Sequence, residues 1–363
     1  PHVRRGTERN MEGLGIYLHT RGHEVTTLSA RKGSLSTERG HAGDKILYPS
    51  RWFSFLGRIR IQPTHTFFLS AYQGLSALNP ELVHSFYFTD ALAAQILARK
   101  KRWRTVLQVN GTPIPGAFRR FLPPDRMLVK RVIERTDLML TCSGFVRGLI
   151  RQHYGVDAQV IVPPVDIERF TLGPGPEKSD RPVLLAVADF DQGNKGVRVL
   201  LRAFAELKKQ RSDCMLIMSG KISPQTRAYA VEGIPESVLR DVKILGLGAP
   251  EDLPGLYAGA SVLVLPSMWE ASGSVMFEAW SSGTPVVATR HGGLPEFVKP
   301  DVGVLFEPET EGFETHNATG LARAMLEGLD LCGDADVRHR CRRHAEAYSW
   351  QALGPEYERL YGL

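Results

Sequence analysis

The sequence predicts an α/β protein built as two doubly wound halves, and three observations carry that expectation. Short apolar runs that read as strands buried on both faces alternate with helical stripes along nearly the whole chain. A proline- and glycine-rich stretch at 171–180, TLGPGPEKSD, divides the alternation into two series and reads as a linker. At 363 residues the chain is longer than one core usually covers.

In the first series, Met11, Leu14 and Leu18 lie at helical spacing, Arg21-Gly22 reads as a stop, and 23–29 alternates as a strand. A helix that feeds a strand in this way ordinarily follows an earlier parallel strand. The first half is therefore expected to lack its opening strand. Residues 82–88 read as a strand, 89–98 as a helix, 105–109 and 138–141 as strands, with a helix from about Gly144.

In the second series 183–187 is a strand, and Val197, Leu200, Leu201, Phe204 and Leu207 mark one helix face before a strand at 214–218. Two further buried strands, SVLVLPS at 261–267 and GTPVVAT at 283–289, enclose a loop and a helix. Leu321, Met325 and Leu329 stripe another helix, and SWQALGPEYERLYGL ends the sequence in helix-forming residues. These stripes read as core faces rather than cofactor boxes.

Composition narrows the class. Apolar residues make up 43% and charged residues 23%, as in soluble globular proteins. Cys142, Cys214, Cys332 and Cys341 form no CxxC pair, so neither a zinc site nor a disulfide framework is suggested, no metal site is expected, and a reducing, cytoplasmic setting is the simplest reading. No apolar run approaches the roughly 20 residues that span a bilayer, and no signal peptide is legible.

The chemistry concentrates in 266–307, PSMWEASGSVMFEAWSSGTPVVATRHGGLPEFVKPDVGVLFE, where Glu270 stands in the loop and Glu278 in the following helix. Both lie beyond the carboxyl end of a parallel strand, where open α/β sheets bind ligands. The helix start at Gly273, Ser274 and Val275 offers unpaired amides and partial positive charge to an anion such as a diphosphate. Glu278 can accept hydrogen bonds from a vicinal diol such as a ribose, and Glu270 from a second sugar. A lone glutamate there is ordinarily a solvated cap. Two at this spacing, between PS and EAW..GTPVVAT..GG.PE, point to a ligand. Lys195-Gly196 opens the helix after the 183–187 strand, where an ammonium can meet a diphosphate.

From 184 to 307 these residues resemble the family-4 retaining glycosyltransferases of the GT-B fold, whose Glu-x7-Glu motif grips a nucleotide-sugar. A weaker resemblance runs over nearly the whole chain. It implies two Rossmann-like doubly wound domains facing across a cleft, with an acceptor domain at 1–172, a nucleotide-sugar domain at 173–345 and a C-terminal helix, 346–363, crossing back to the first domain. VIVPPVDIERF, 160–170, resembles the segment with which the family closes its first domain. The resemblance places Glu278 on the ribose and Glu270 on the transferred sugar. It sets Lys195, Gly273, Ser274, Val275, Gly6, Asp189 and Leu247 on the donor side, with Gly6 the remnant of a glycine loop. The donor implied is a nucleoside diphosphate sugar, UDP- or GDP-linked, and no prosthetic group is expected.

Two departures stand out. Members commonly carry Gly-Arg after the first strand of the second domain, where this chain has AVADFDQGNKG and an aspartate, Asp189. An aspartate beside a diphosphate repels it, so the missing charge would come from Arg290, from first-domain arginines or from a metal. Where many members have His-Gly in the first domain, this chain has Asn110-Gly111. Asparagine can donate a hydrogen bond but cannot hold a proton near neutral pH. His84 is a candidate to share that polar work, and an ordinary strand histidine is an equal reading.

Charge is uneven. Residues 1–172 carry 25 Lys and Arg against 13 Asp and Glu, and the remainder carries 20 against 26. The run Arg99-Lys100-Lys101-Arg102-Trp103-Arg104 and the pair Arg119-Arg120 suggest a solvated basic face, an anionic acceptor, or docking on an anionic membrane surface from the cytoplasmic side. No nucleic-acid module matches.

The expected activity is hexosyl transfer from a nucleotide-sugar to a hydroxyl of a small-molecule, saccharide or lipid-linked acceptor. Glu270, Asn110 and His84 are the catalytic candidates, and Glu270 acts as a donor-sugar ligand rather than a nucleophile. The alternatives are a GT-B-fold isomerase or phosphorylase, and a non-catalytic sugar-nucleotide binding protein.

Overall fold

The apolar runs pair into mainly parallel sheets and the amphipathic stripes form helices, in two separate units. The computed structural model describes residues 6–31, 36–49, 63–113, 123–173, 181–311, 314–315 and 317–363. One unit comprises Pro1–Pro164 and Leu353–Leu363, the other Val165–Ala352.

In the first unit, the helix Gly6–Thr20 leads into β1 (Thr26–Arg31), β2 (Ser36–Gly40) and β3 (Gly43–Pro49). β3 pairs parallel with β1 and antiparallel with β2. A second sheet contains β4 (Leu82–Ser85), β5 (Arg104–Val109), β6 (Leu138–Thr141) and β7 (Gln159–Val160), all parallel and in that order. β6, read as LMLT, is buried at every position, as a central parallel strand should be. The helix Gly144–Tyr154 begins where Ser143 accepts from the Val146 amide and ends on left-handed Gly155, so both its limits are set by local signals.

The expected strand at 82–88 stops at Ser85. Phe86 and Tyr87 turn the chain, Asp90 accepts from the Phe86 amide at 3.3 Å, and the helix Phe88–Lys101 takes over. The aromatic run has strand propensity, but the capping carboxylate overrides it.

In the second unit, β8 (Val183–Val187), β9 (Met215–Ser219), β10 (Val242–Gly246), β11 (Val262–Leu265), β12 (Val286–Thr289) and β13 (Gly303–Phe306) form one parallel sheet in the order β10-β9-β8-β11-β12-β13. The strand order reverses beside β8, which is where a ligand crevice opens in such sheets. The helices Val197–Lys208 and Ala318–Cys332 cover one face, their Leu200, Leu201, Phe204, Leu321 and Met325 wholly buried.

Residues 165–170 join the second unit, which places this boundary before the proline-rich stretch rather than within it. The Val165 amide donates to the Tyr348 carbonyl at 2.8 Å, Phe170 packs edge-on to Tyr257, and Arg342 donates to the Ile167 and Phe170 carbonyls. The final helix, Trp350–Tyr361, starts in the second unit and ends in the first. Residues 174–180 lie outside the described residues. Among the described residues no helix is long and apolar enough to cross a membrane.

Candidate functional site

Beyond β11 the chain runs through Pro266–Gly273 in a loop held from both sides. On one side, Gly196 adopts φ +65°, and a Cβ there would stand 2.4 Å from the Pro266 carbonyl oxygen. Only glycine permits that approach. Asn194 grips Met268 twice: its carbonyl accepts from the Met268 amide at 2.8 Å and its Nδ2 donates to the Met268 carbonyl at 3.0 Å.

On the other side, Gly292 lies so close that a Cβ would stand 2.5 Å from the Glu270 carbonyl oxygen. The Gly293 amide donates to that same oxygen at 2.9 Å, and the Trp269 amide donates to His291 Nδ1 at 3.4 Å. The His291 and Trp269 rings meet edge to face, centroids 4.8 Å apart. Between these supports Trp269 adopts φ 55°, a left-handed conformation that costs a bulky side chain about 1–3 kcal/mol. Burial lowers the His291 pKa, which favours the neutral ring able to accept at Nδ1.

This loop delivers Glu270 onto Lys195, with Oε2 and Nζ 2.6 Å apart and both side chains largely enclosed. Lys195 ends the short turn Gly193–Lys195 after β8, immediately before left-handed Gly196. Gly273, at φ 68°, starts the helix Ser274–Ser281; the Met276 amide donates to the Gly273 carbonyl at 2.9 Å, and the Ser274 and Val275 amides before it have no acceptor within the helix. Glu278 sits in the second turn, 6% exposed, and its Oε2 accepts from the Tyr257 hydroxyl at 2.7 Å. Lys195, Glu270, Gly273, Ser274, Val275 and Glu278 therefore share the carboxyl ends of β8 and β11 and the elements that follow them. Lysine, helix start and two carboxylates together suit a diphosphate flanked by two polyols.

Asp189 follows β8, its Oδ2 accepting from Gln192 Nε2 at 3.0 Å. The neighbouring Asp191 ties this loop to the next one through Lys221, the Ser223 amide and the Thr226 hydroxyl, which hold its carboxyl far below the usual range. Arg290 is paired with Glu307, Nε to Oε1 2.5 Å, at an exposed position. Leu247 is exposed just past β10. Among the described residues there is no cluster of three or more metal-ligating side chains.

The other expected residues belong to the first unit. His84 lies in β4 with Nδ1 2.5 Å from the Tyr361 hydroxyl, and burial pushes its pKa down to about 3. It is a neutral hydrogen-bonding group at physiological pH. Asn110 follows β5, and its two side-chain amide atoms are buried with no partner among the described residues. Gly6 is the exposed first residue of its helix. Sequence reasoning passed over Tyr257, Asn194 and His291, because their contacts cross between elements and leave no periodic trace.

The model for Glycosyltransferase Family 4 matches residues 4–169, and that for Glycosyl transferases group 1 matches 181–330. The fold is GT-B, and the chain belongs to the family-4 glycosyltransferases. The D-inositol 3-phosphate glycosyltransferase of Corynebacterium kroppenstedtii is 27% identical over 77% of this chain and 66% of its own length. An MMP alpha-(1->4)-mannosyltransferase of Mycolicibacterium hassiacum is 31% identical over 64% of this chain and 55% of its own. The chain thus spans less than two thirds of these relatives. Among solved structures, sucrose-phosphate synthase from Thermosynechococcus elongatus superposes with TM-score 0.79 at 20% identity, covering 99% of this chain and 93% of that one. Anabaena HepE in complex with UDP and glucose gives TM-score 0.70 at 18% identity, covering 100% and 98%.

Proposed function

We propose that this chain transfers a hexosyl group from a nucleoside diphosphate sugar to a hydroxyl acceptor, with retention at the anomeric carbon, and that its second unit holds the donor. The observation that carries this reading is the Lys195–Glu270 contact of 2.6 Å beside the Gly273 helix start, with Glu278 buried one turn further on. Without donor the ammonium and the carboxylate satisfy each other. On binding, Lys195 and the helix amides turn to the diphosphate, Glu270 takes a sugar hydroxyl, and Glu278 takes the ribose diol. Lys195 and Glu270 each exchange the other for a group of the donor, so neither is left buried without a partner.

No side-chain nucleophile is required. The departing diphosphate oxygen takes the acceptor proton on the face it leaves, while lysine and amides stabilise its growing charge. Asn110 supplies hydrogen bonds and not protons. The structures of HepE with UDP make a UDP-sugar the first donor to test. The inositol-phosphate glycosyltransferases among its relatives, with the basic balance of residues 1–172, support an anionic acceptor. The same charge suits contact with an anionic membrane face.

A panel of UDP- and GDP-sugars, read by calorimetry and by released nucleotide, tests the proposal. Binding of at least one donor, with turnover once an acceptor is added, is the expected result. A protein that binds none of them has no donor site of this kind.

A further inference from the structure

We infer that His291 is a positioning residue: its Nδ1, accepting from the Trp269 amide, holds the left-handed turn that presents Glu270 to the donor sugar. The inference rests on the reading of Glu270 as the sugar ligand and goes beyond it, because His291 itself touches neither sugar nor phosphate in that scheme.

The loop Pro266–Gly273 has opposite supports. Asn194 fixes Met268 at both its amide and its carbonyl, 2.8 and 3.0 Å. The Gly293 amide fixes the Glu270 carbonyl at 2.9 Å. Between them stands Trp269 at φ 55°, a conformation a tryptophan leaves unless its surroundings over-determine it. His291 Nδ1, 3.4 Å away, receives its amide, while the ring edge braces the indole. If Trp269 relaxes toward negative φ, the following residue swings. Glu270 then leaves Lys195, and the carboxylate no longer points where the sugar is to lie. The side chain at 291 thus acts on the orientation of Glu270 through one backbone bond.

Glu278 and the helix start lie past this turn, so the nucleotide part of the donor is gripped without it. That separation gives the test. His291→Phe keeps an aromatic brace and removes the acceptor, and His291→Asn places an amide oxygen about where Nδ1 stands. Calorimetry should show His291→Phe losing affinity for the nucleotide-sugar by roughly three- to tenfold, the effect of one hydrogen bond. Affinity for the bare nucleoside diphosphate should not fall, because Lys195 and the helix start still face it, and His291→Asn should recover most of the loss. Amide exchange in peptides covering 266–273 of the free protein should quicken in His291→Phe and return in His291→Asn. Equal weakening of both ligands, unchanged sugar-nucleotide affinity, or unchanged exchange would each overturn the role. A wild-type protein that binds no sugar nucleotide sinks the donor-site reading instead, while the exchange arm still decides whether the clamp exists.

Discussion

A carboxyl group that is almost wholly buried is costly unless something hydrogen-bonds it, so Glu278, 6% exposed, depends on partners in the protein. Tyr257, itself fully buried, supplies one such bond at 2.7 Å. Truncating Glu278 to alanine should raise the donor dissociation constant by about tenfold or more, since a charge-assisted bond contributes about 1.5–3 kcal/mol. Calorimetry with the best donor measures it, and unchanged affinity would remove the ribose assignment. Asp90 gives a second test at this scale. Burial raises its pKa to about 7, with Oδ1 enclosed and meeting no partner among the described residues. Because the folded pKa lies above the unfolded one, its stabilising effect is complete below about pH 4 and is lost as pH rises to 7, by roughly 4 kcal/mol in full. Asp90→Asn keeps an acceptor for the Phe86 amide and cannot ionise. Its stability relative to the wild type should climb between pH 4 and 7 and level off above. His84 titrates with the opposite sign in both proteins and drops out of the difference. A difference that is flat with pH would contradict the buried carboxyl.

At the scale of elements, what was legible in the sequence was what is set locally. β6 coincides with its apolar run and the next helix with Gly144, because Ser143 and Gly155 mark its ends. The Glu270 and Glu278 spacing put loop and helix in the right places for the same reason. The turn at Trp269 was not legible, since a left-handed tryptophan is imposed by Asn194 and His291 from other loops. Nor was the arrest of β4 at Ser85, which depends on a carboxylate further along. The glycines that let these loops touch can be tested. Gly292→Ala would set a Cβ 2.5 Å from the Glu270 carbonyl oxygen at φ +68°. Backbone must move, so a stability loss of about 1–3 kcal/mol is expected in thermal or denaturant unfolding, together with weaker sugar-nucleotide binding. A variant as stable as the wild type would show that the two loops are not in this contact.

At the scale of the whole molecule, the first unit is discontinuous: the chain leaves it at Pro164 and returns at Leu353. The returning segment is not an appendage. Tyr357 is fully buried and exchanges hydrogen bonds with the Gln108 amide at 3.1 and 3.2 Å, and Tyr361 meets His84 and takes Arg104 on its carbonyl. Glu358 receives Tyr17 and Arg21, each at 3.0 Å. Removing Leu353–Leu363 therefore strips partners from β4, β5 and the Gly6–Thr20 helix at once. Loss of a single buried aromatic side chain costs about 3–5 kcal/mol, a large part of a domain's net stability. Hydrogen exchange should rise strongly at 82–85 and 104–109 in the truncated protein. At 183–187 and 262–265 it should stay near its wild-type rate, because those strands take their core from the second unit. Tyr357→Phe should do the same more gently, leaving the Gln108 amide buried without its partner at a cost of about 1–3 kcal/mol. Exchange that rises equally in both units, or in neither, would mean that the C-terminal segment does not belong to the first unit's core.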